Sequence, residues 1–339
     1  MSWSLCLLGL LVCVSAISPR FSVHTLDRQH ANLEIQKQLF SVWKNHHAKV
    51  YSSQSEEDFR FSVFQDALKK IEELNSKSQG ASYGLNKYTD WTPEEFARLR
   101  GYKPRSDAER KKEVLPKGPV AAPATYDWRT LDRVTPVKDQ GQCGSCWAFS
   151  ATENVESIYM INKNIGSSGM SPLSPQQIVD CDTTDSGCNG GDTPTAYAYI
   201  MSAGGLETDA DYPYTAADGT CAFDQSKVKV SITNWKYATQ SQSESEMVDA
   251  TVNWGPLSIC VDASSWQYYT SGIVMGSDCT NNLDHCVQIV GYDTSASTPF
   301  WIVRNSWGAD WGENGFIRLQ YGQDTCGLAD EATSACITC

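Results

Sequence analysis

Residues 140–147 read Gln-Gly-Gln-Cys-Gly-Ser-Cys-Trp, and behind them Phe149, Val155, Ile158 and Tyr159 recur at helical spacing up to Ile161. A glycine-rich loop therefore runs directly into a helix over 147–161, with Cys146 at the junction. Unpaired N–H groups at a helix start carry partial positive charge, which favours thiolate over thiol, and thiolate is the reactive form of cysteine. A cysteine nucleophile also needs a base. The five histidines are His24, His30, His46, His47 and His285. Only His285 follows Cys146, so a Cys–His pair within the segment that Cys146 opens can only be Cys146 with His285. The Cys143-Gly-Ser-Cys146 spacing also fits a thiol–disulfide oxidoreductase. That reading expects a Trp before the first cysteine in a compact βαβ domain; here Trp147 follows the second, in a much longer segment.

Outward from this junction the chain divides by composition. The only long apolar run is Leu5 to Ile17, roughly a dozen residues, too short to cross a bilayer and suited to a signal-peptide core. Val14-Ser15-Ala16 supplies small or aliphatic residues for cleavage, which makes 1–16 the expected signal. Residues 29 to 77 read as helical, with Leu33, Leu39, Phe40 and Trp43, then Phe59, Val63, Phe64, Leu68, Ile71 and Leu74 on the apolar stripe. Asn75 to Gly84 breaks the pattern. Thr92-Pro93-Glu94-Glu95 is a helix start, with Thr as cap and Pro at the first helical position. Lys103 to Pro123 is charged and punctuated by Pro and Gly, and reads as an exposed linker open to proteolysis or as a surface loop. Beyond the Cys146 helix, short helices are expected near Pro175–Asp180 and Thr195–Ser202. Strands are expected at Val228–Ile232, Leu257–Val261, Cys286–Tyr292, Trp301–Val303 and Phe316–Leu319.

Charge follows the same division. Residues 18–121 hold 18 Lys and Arg against 14 Asp and Glu, a net of +4, whereas 122–339 hold 9 against 26, a net of −17. A basic leader before an acidic body is either two unrelated solvated surfaces or a detachable partner held partly by charge. The acidic body argues against nucleic acid as a ligand. Thirteen cysteines in an exported chain suggest disulfides. Two leave with the signal, and the odd 11 that remain leave one thiol unpaired within the chain, either an inert buried cysteine or a nucleophile.

Three blocks carry a resemblance to the papain family of cysteine proteases: Gln140 to Ser150 around Cys146, Leu283-Asp284-His285 followed by a β run, and Asn305-Ser306-Trp307-Gly308. The resemblance covers essentially the whole chain after the signal. It implies an α+β, papain-like two-domain fold: a helical half over about 122–226, a β-barrel-like half over about 227–339, and the active-site cleft between them. By the same resemblance Cys146 is the nucleophile, His285 the general base, and Asn305 orients the imidazole with Trp307 shielding that hydrogen bond. Gln140 would donate to the oxyanion together with the Cys146 backbone N–H, and Gly190-Gly191 would bind substrate backbone. The leader, 17–121, resembles the inhibitory propeptide of the cathepsin L-like branch. Glu56, Arg60, Phe64, Ile71 and Asn75 match its helical motif, with Ala67 where Asn is usual, and Gly84-x-Asn86-x-Tyr88-x-Asp90 matches its second motif with Tyr for Phe. The implied protein is a zymogen whose mature form starts near Ala122. Acid is expected to loosen the leader by protonating body carboxylates.

Family positions imply disulfides Cys143–Cys188, Cys181–Cys221 and Cys279–Cys326. Cys260 and Cys286 map onto opposite walls of the main specificity pocket, either bonded or as two thiols, and Cys336 and Cys339 form a candidate tail clip. Leu283 belongs to the same pocket. Glu331 lies at its far end, where it would admit Arg beside bulky apolar groups, or is an outward-facing carboxylate. The short, His-free interval Cys181–Cys188 leaves no room for an occluding insertion and favours an endopeptidase. A peptide ligase on the same scaffold and a structural relative lacking the nucleophile, of the silicatein kind, are the alternatives. No metal or cofactor is implied. Expected partners are protein and peptide substrates, the chain's own propeptide as inhibitor and cystatin-type inhibitors, with no nucleic acid or membrane, and a monomeric state. The absence of an Asn-x-Ser/Thr sequon leaves lysosome, vacuole and extracellular space open.

Overall fold

The structure, a computed structural model, describes residues 33–104 and 113–338. The expected signal, the first part of the leader and Cys339, with its pairing to Cys336, lie outside these residues. The leader is not one continuous helical stretch. Helix α1, Leu33–His46, ends before Ala48 in left-handed backbone (φ 49°), and α2, Gln54–Lys77, restarts behind the Ser53 cap. Trp43 and Phe40 of α1 pack on Phe64 of α2. Strand β1, Ala81–Tyr83, follows, then the short helix α3, Pro93–Ala97, which opens on a capping box between Thr92 and Glu95.

The motif residues of the leader have physical tasks. Glu56 accepts from the backbone N–H and hydroxyl of Ser52, before the start of α2. Arg60 forks onto Glu95 (2.6 and 2.8 Å) and also donates to the Asp90 carbonyl, joining α2 to α3. Asn75 exchanges two hydrogen bonds with the backbone of Tyr83 and so turns α2 into β1. Asp90 accepts from Lys49 and Tyr51, and Asn86 donates to Gln267 of the body.

The body begins with β2, Thr125–Asp127, and continues into helices α4, Cys146–Lys163, α5, Pro175–Cys181, and α6, Thr193–Ala203. The second half carries β3, Asn234–Tyr237; α7, Glu244–Asn253; β4, Leu257–Val261; β5, Tyr269–Val274; β6, His285–Asp293; β7, Phe300–Arg304; β8, Phe316–Gln320; and β9, Glu331–Cys336. The sheet order is β1-β5-β8-β7-β6-β4-β9-β3, with β2 paired to β6. This path is open at β1 and β3, so the expected barrel is an unclosed sheet. The leader supplies one of its end strands, since β1 pairs antiparallel with β5. Strand β2 shows that the chain enters the β half before building the helical half.

Two apolar cores result. One joins the leader, through Phe40, Trp43, Phe64 and Phe96, to the β half; the other holds α4–α6 with Val230, Ile232, Cys260, Cys286 and Ala335. Val228–Ile232 is not a strand. Val230 makes a single bridge to Leu206, and the alternation there reflects one face laid on the helical core without a partner ladder. The linker is also less exposed than expected: Leu115 is buried and donates its N–H to the Tyr237 carbonyl, and Trp254 donates to Pro116.

Candidate active site

Helix α4 starts at Cys146 itself, behind the loop Gly141–Ser145. Its Sγ is fully buried and accepts the backbone N–H of Gly101 in the leader at 3.3 Å, and the backbone N–H groups of Cys286 and Trp147 also favour its thiolate. Among the described residues Cys146 is the free cysteine. Cys143 is bonded to Cys188, so the two cysteines of the Cys-Gly-Ser-Cys segment do not face each other as a redox pair. Cys181–Cys221 and Cys279–Cys326 are also bonded, and so is Cys260–Cys286.

His285 is the first residue of β6, on the other side of the cleft from α4, with Cys286 next to it. Its Nε2 lies 2.8 Å from Oδ1 of Asn305, and the same oxygen accepts the Ser306 N–H at 2.8 Å. That second bond identifies Oδ1 as an acceptor, so Nε2 of the neutral ring carries the proton and Nδ1 keeps its lone pair. Trp307 covers the ring, with centroids 4.6 Å apart and planes inclined by 30°. Phe96 of the leader packs against Trp307 as well, with centroids 5.0 Å apart and planes inclined by 73°.

Gln140 is held by its own backbone N–H on the Ser306 carbonyl and by Ser306 Oγ on its side-chain oxygen. Its amide donates to the Cys143 carbonyl and to the Leu99 carbonyl of the leader, both at 2.8 Å. Leader backbone continues along Gly191: the Gly191 N–H donates to Gly101, the Lys103 N–H donates to Gly191, and the Tyr102 N–H donates to the Asp284 carbonyl. Close approach explains the glycines. A Cβ on Gly101 would stand 1.8 Å from the Gly144 carbonyl oxygen, and one on Gly190 (φ 113°) would stand 2.4 Å from that of Gly101.

Burial under the leader sets the charge state of the pair. It pushes the Cys146 thiol up to about 11, against the pull of the backbone N–H groups, and pushes the His285 imidazole down to about 3, against its bond to Asn305. Both groups are therefore neutral in the covered site. Leader cations meet body carboxylates around the cleft, Arg100 with Asp284 (2.6 Å) and Lys87 with Asp139 and Asp310 (2.7 and 3.0 Å).

Leu283 is half-buried and packs against the helical core, and Glu331 is fully buried opposite Cys260 in the β4–β9 ladder. The alternative of an outward-facing Glu331 is excluded. One positioning group escaped the sequence reading. Arg304, next to Asn305, is fully buried and paired with Glu153 of α4 at 3.2 Å, and it donates to the Thr135 carbonyl and hydroxyl. The pair ties the helix that starts at Cys146 to the segment that carries Asn305. Its only trace in the sequence is a charge at the end of an apolar strand. Removing one partner strands the other in the core, so Arg304→Ala should lower stability by about 3–5 kcal/mol. An unfolding midpoint in urea unchanged by that substitution would refute the pairing.

Residues 122–336 match the papain family cysteine protease domain, and residues 40–96 match the cathepsin propeptide inhibitor domain. "Cysteine proteinase 1" of Dictyostelium discoideum is 39% identical over 305 residues, which cover 82% of this chain and 86% of that protein. A "cathepsin L-like proteinase" of Phaedon cochleariae is 39% identical over 315 residues, covering 89% and 94%. The structure of digestive procathepsin L2 proteinase from the larval midgut of Tenebrio molitor superposes with a TM-score of 0.83 at 32% identity, over 89% of this chain and all of that one.

Proposed function

The chain belongs to the papain family of cysteine proteases and is a cysteine endopeptidase made as a zymogen; from that premise we propose that Cys146 is its nucleophile, His285 its general base, Asn305 the group that orients the base, and Gln140 an oxyanion donor. With the leader gone, Nδ1 of His285 takes the Cys146 proton and the thiolate attacks the peptide carbonyl carbon. Charge that develops on the carbonyl oxygen meets the Gln140 amide and the Cys146 N–H. As the C–N bond breaks, His285 returns the proton to the leaving amine. Water, deprotonated by the same nitrogen, then cleaves the thioester and restores the thiol. The observation that carries this reading is the leader's own seating. It sets a backbone N–H on Cys146 Sγ and a backbone carbonyl on the Gln140 amide, so peptide main chain already lies against both groups. The test is the loss of peptide cleavage by leader-free enzyme when Cys146 is replaced by serine; activity close to that of the wild type would refute the assignment.

The mature N-terminus near Ala122 follows exposed residues 119–125, which suits cleavage of the leader there. Export through the secretory pathway, to lysosome, vacuole or the extracellular space, is supported by the apolar run Leu5–Ile17 and by four disulfides among the described residues. Among the described residues no helix is long and apolar enough to cross a membrane. The mature enzyme acts as a monomer, and cystatin-type inhibitors compete for the cleft that the leader vacates.

Glu331 sets a second preference. A buried carboxylate beside the Cys260–Cys286 wall offers a counter-charge to a substrate guanidinium, which would otherwise be desolvated without a partner. Peptide libraries should therefore show Arg accepted beside Leu and Phe in that pocket. Glu331→Ala should reduce Arg cleavage about tenfold or more while sparing the apolar substrates. An Arg preference that survives the substitution would refute this role.

A further inference from the structure

The leader grips the body at a second place, through residues 113–120. Tyr237 of β3 donates its N–H to the Glu113 carbonyl and accepts the Leu115 N–H, both at 2.8 Å, so Val114 extends the sheet in parallel beyond its end strand. The remaining contacts come from the end of α7. The Trp254 indole donates to the Pro116 carbonyl at 2.9 Å, and the Asp249 carboxylate accepts the Gly118 N–H at 3.0 Å. The Asn253 amide exchanges two hydrogen bonds with the Val120 backbone, at 2.9 and 3.0 Å. All six bonds go to the main chain of the linker.

Two positions are selective for their side chains. Leu115 is buried in the core of the β half. At Gly118 a Cβ would stand 2.0 Å from Asn253 Cγ, so a side chain there is excluded while Asn253 keeps its place. Pro116 fixes its own φ and presets the extended form. Pro116, Lys117, Pro119 and Val120 are exposed. The surface therefore reads an extended chain by its backbone, with a leucine as anchor and a glycine as fit. When the leader leaves with this stretch, the β3 edge loses its partner and the Leu115 socket opens. An unpaired strand edge accepts another extended chain.

We propose that the β3 edge and the end of α7 form a second binding site of the mature enzyme, for an extended segment of a polypeptide substrate. The segment it fits carries Leu-Pro and, three residues after the leucine, Gly. The leader shows that one chain can hold both sites, since it lies on Gly191 through Lys103 and on Tyr237 through Glu113. Ten residue steps separate 103 from 113, a reach of at most about 36 Å. A substrate held at the second site therefore presents its other segments to the cleft at raised local concentration. The gain appears as a lower KM with kcat unchanged, because the second segment is bound equally in the ground and transition states.

The proposal rests on the endopeptidase reading above, and its test reads a ratio of KM values. Leader-free enzyme is given a short fluorogenic peptide and longer ones that also carry Glu-Val-Leu-Pro-Lys-Gly-Pro-Val. That segment is placed about ten residues before or after the bond to be cut, and matched controls have alanine in place of its leucine. One placement should lower KM by about tenfold or more relative to its control, with kcat unchanged. The ratio should fall toward one in Asn253→Ala and Trp254→Phe enzyme. It should also fall on adding a free capped peptide of residues 113–120, which should leave cleavage of the short substrate unaffected. Equal KM values with and without the leucine in both placements overturn the proposal and leave the endopeptidase reading intact. So does a ratio that persists in both variants. A free peptide that slows the short substrate as much as the long ones binds in the cleft, and overturns the proposal too. If the variants do not fold, competition by the free peptide in wild-type enzyme decides by the same criteria. Failure of the wild type to cleave the short peptide would instead fail the underlying reading.

Discussion

Replacing Cys146 with serine should lower peptide cleavage by the leader-free enzyme roughly 10⁴- to 10⁶-fold, the scale seen when a nucleophile that works as a unit with its base is lost. A serine hydroxyl holds its proton far more tightly than a thiol. Without the leader the site around residue 146 keeps the backbone N–H groups of Cys286 and Trp147 and a helix start, enough to favour a thiolate but not to make an alkoxide. The variant should still fold, because Cys146 is outside all four described disulfides and the change is nearly isosteric. It should also accumulate as the zymogen. Activity is read on a fluorogenic peptide after the leader has been cut by added protease. Residual activity within tenfold of the wild type would remove Cys146 from the mechanism, and with it the roles given to His285 and Gln140.

The second large effect concerns acid. At Asp284 the expectation that a body carboxylate releases the leader on protonation meets a shift of the opposite sign. Burial raises Asp284 to about 6 despite Arg100 beside it. A carboxyl whose value is raised by the cover takes up a proton when covered, so falling pH favours the cover at this residue. The catalytic pair is silent as well, since thiol plus neutral imidazole holds as many protons as thiolate plus imidazolium.

The group with the right sign is His47, in the turn after α1. Burial first, then repulsion from the neighbouring His46 and Lys49, push its imidazole down to about 4, and Lys87 adds to them while Asp310 opposes. Asp139 of the body faces the same hollow, and Nε2 of His47 is buried without a hydrogen-bond partner. Once the leader lifts or unfolds, the ring regains an ordinary value near 6.5 and binds a proton that it could not hold before. Acid therefore favours release from about pH 6.5 downward, up to tenfold per pH unit, with Asp284 opposing it below about pH 6. Glu95, held below the usual carboxylate range by its fork with Arg60, adds leader instability only at more acid pH. His47 alone would make proenzyme processing about eightfold faster at pH 5.5 than at pH 7, which Asp284 cuts to about twofold, and His47→Gln should abolish that rise. Equal acceleration in the variant would show that another group carries the response.

How much of this was legible in the sequence differs by element. Cys146 and His285 stood out locally, as a glycine loop running into a helix and a lone histidine before a β run, whereas Asn305 and Gln140 were named only through the family resemblance of their blocks. Leu257–Val261 was readable as a strand because Leu257, Ile259 and Val261 recur at every second position. Strand β9, Glu-Ala-Thr-Ser-Ala-Cys, was not, since its small residues are all buried and show no alternation. Strand β5 was missed because Gly272 interrupts it, and β1 and β2 because three residues carry no period. Helix α7 had a usable signal, Ser243 three residues before Glu246, which the structure uses as a cap. The Cys260–Cys286 bond and the Arg304–Glu153 pair depend on register between distant strands and helices, which no local pattern encodes.

The central claim is that the leader keeps Cys146 and His285 neutral and that its departure creates the thiolate. The most direct measurement is the rate of Cys146 alkylation by iodoacetamide against pH, in intact zymogen and in leader-free enzyme. The leader-free thiol should react at a nearly constant rate from neutral pH down to well below the ordinary thiol value of about 8.5, whereas the zymogen should stay unreactive until strongly alkaline pH. A leader-free Cys146 that titrates like a free thiol, or a zymogen equally reactive at neutral pH, would contradict it.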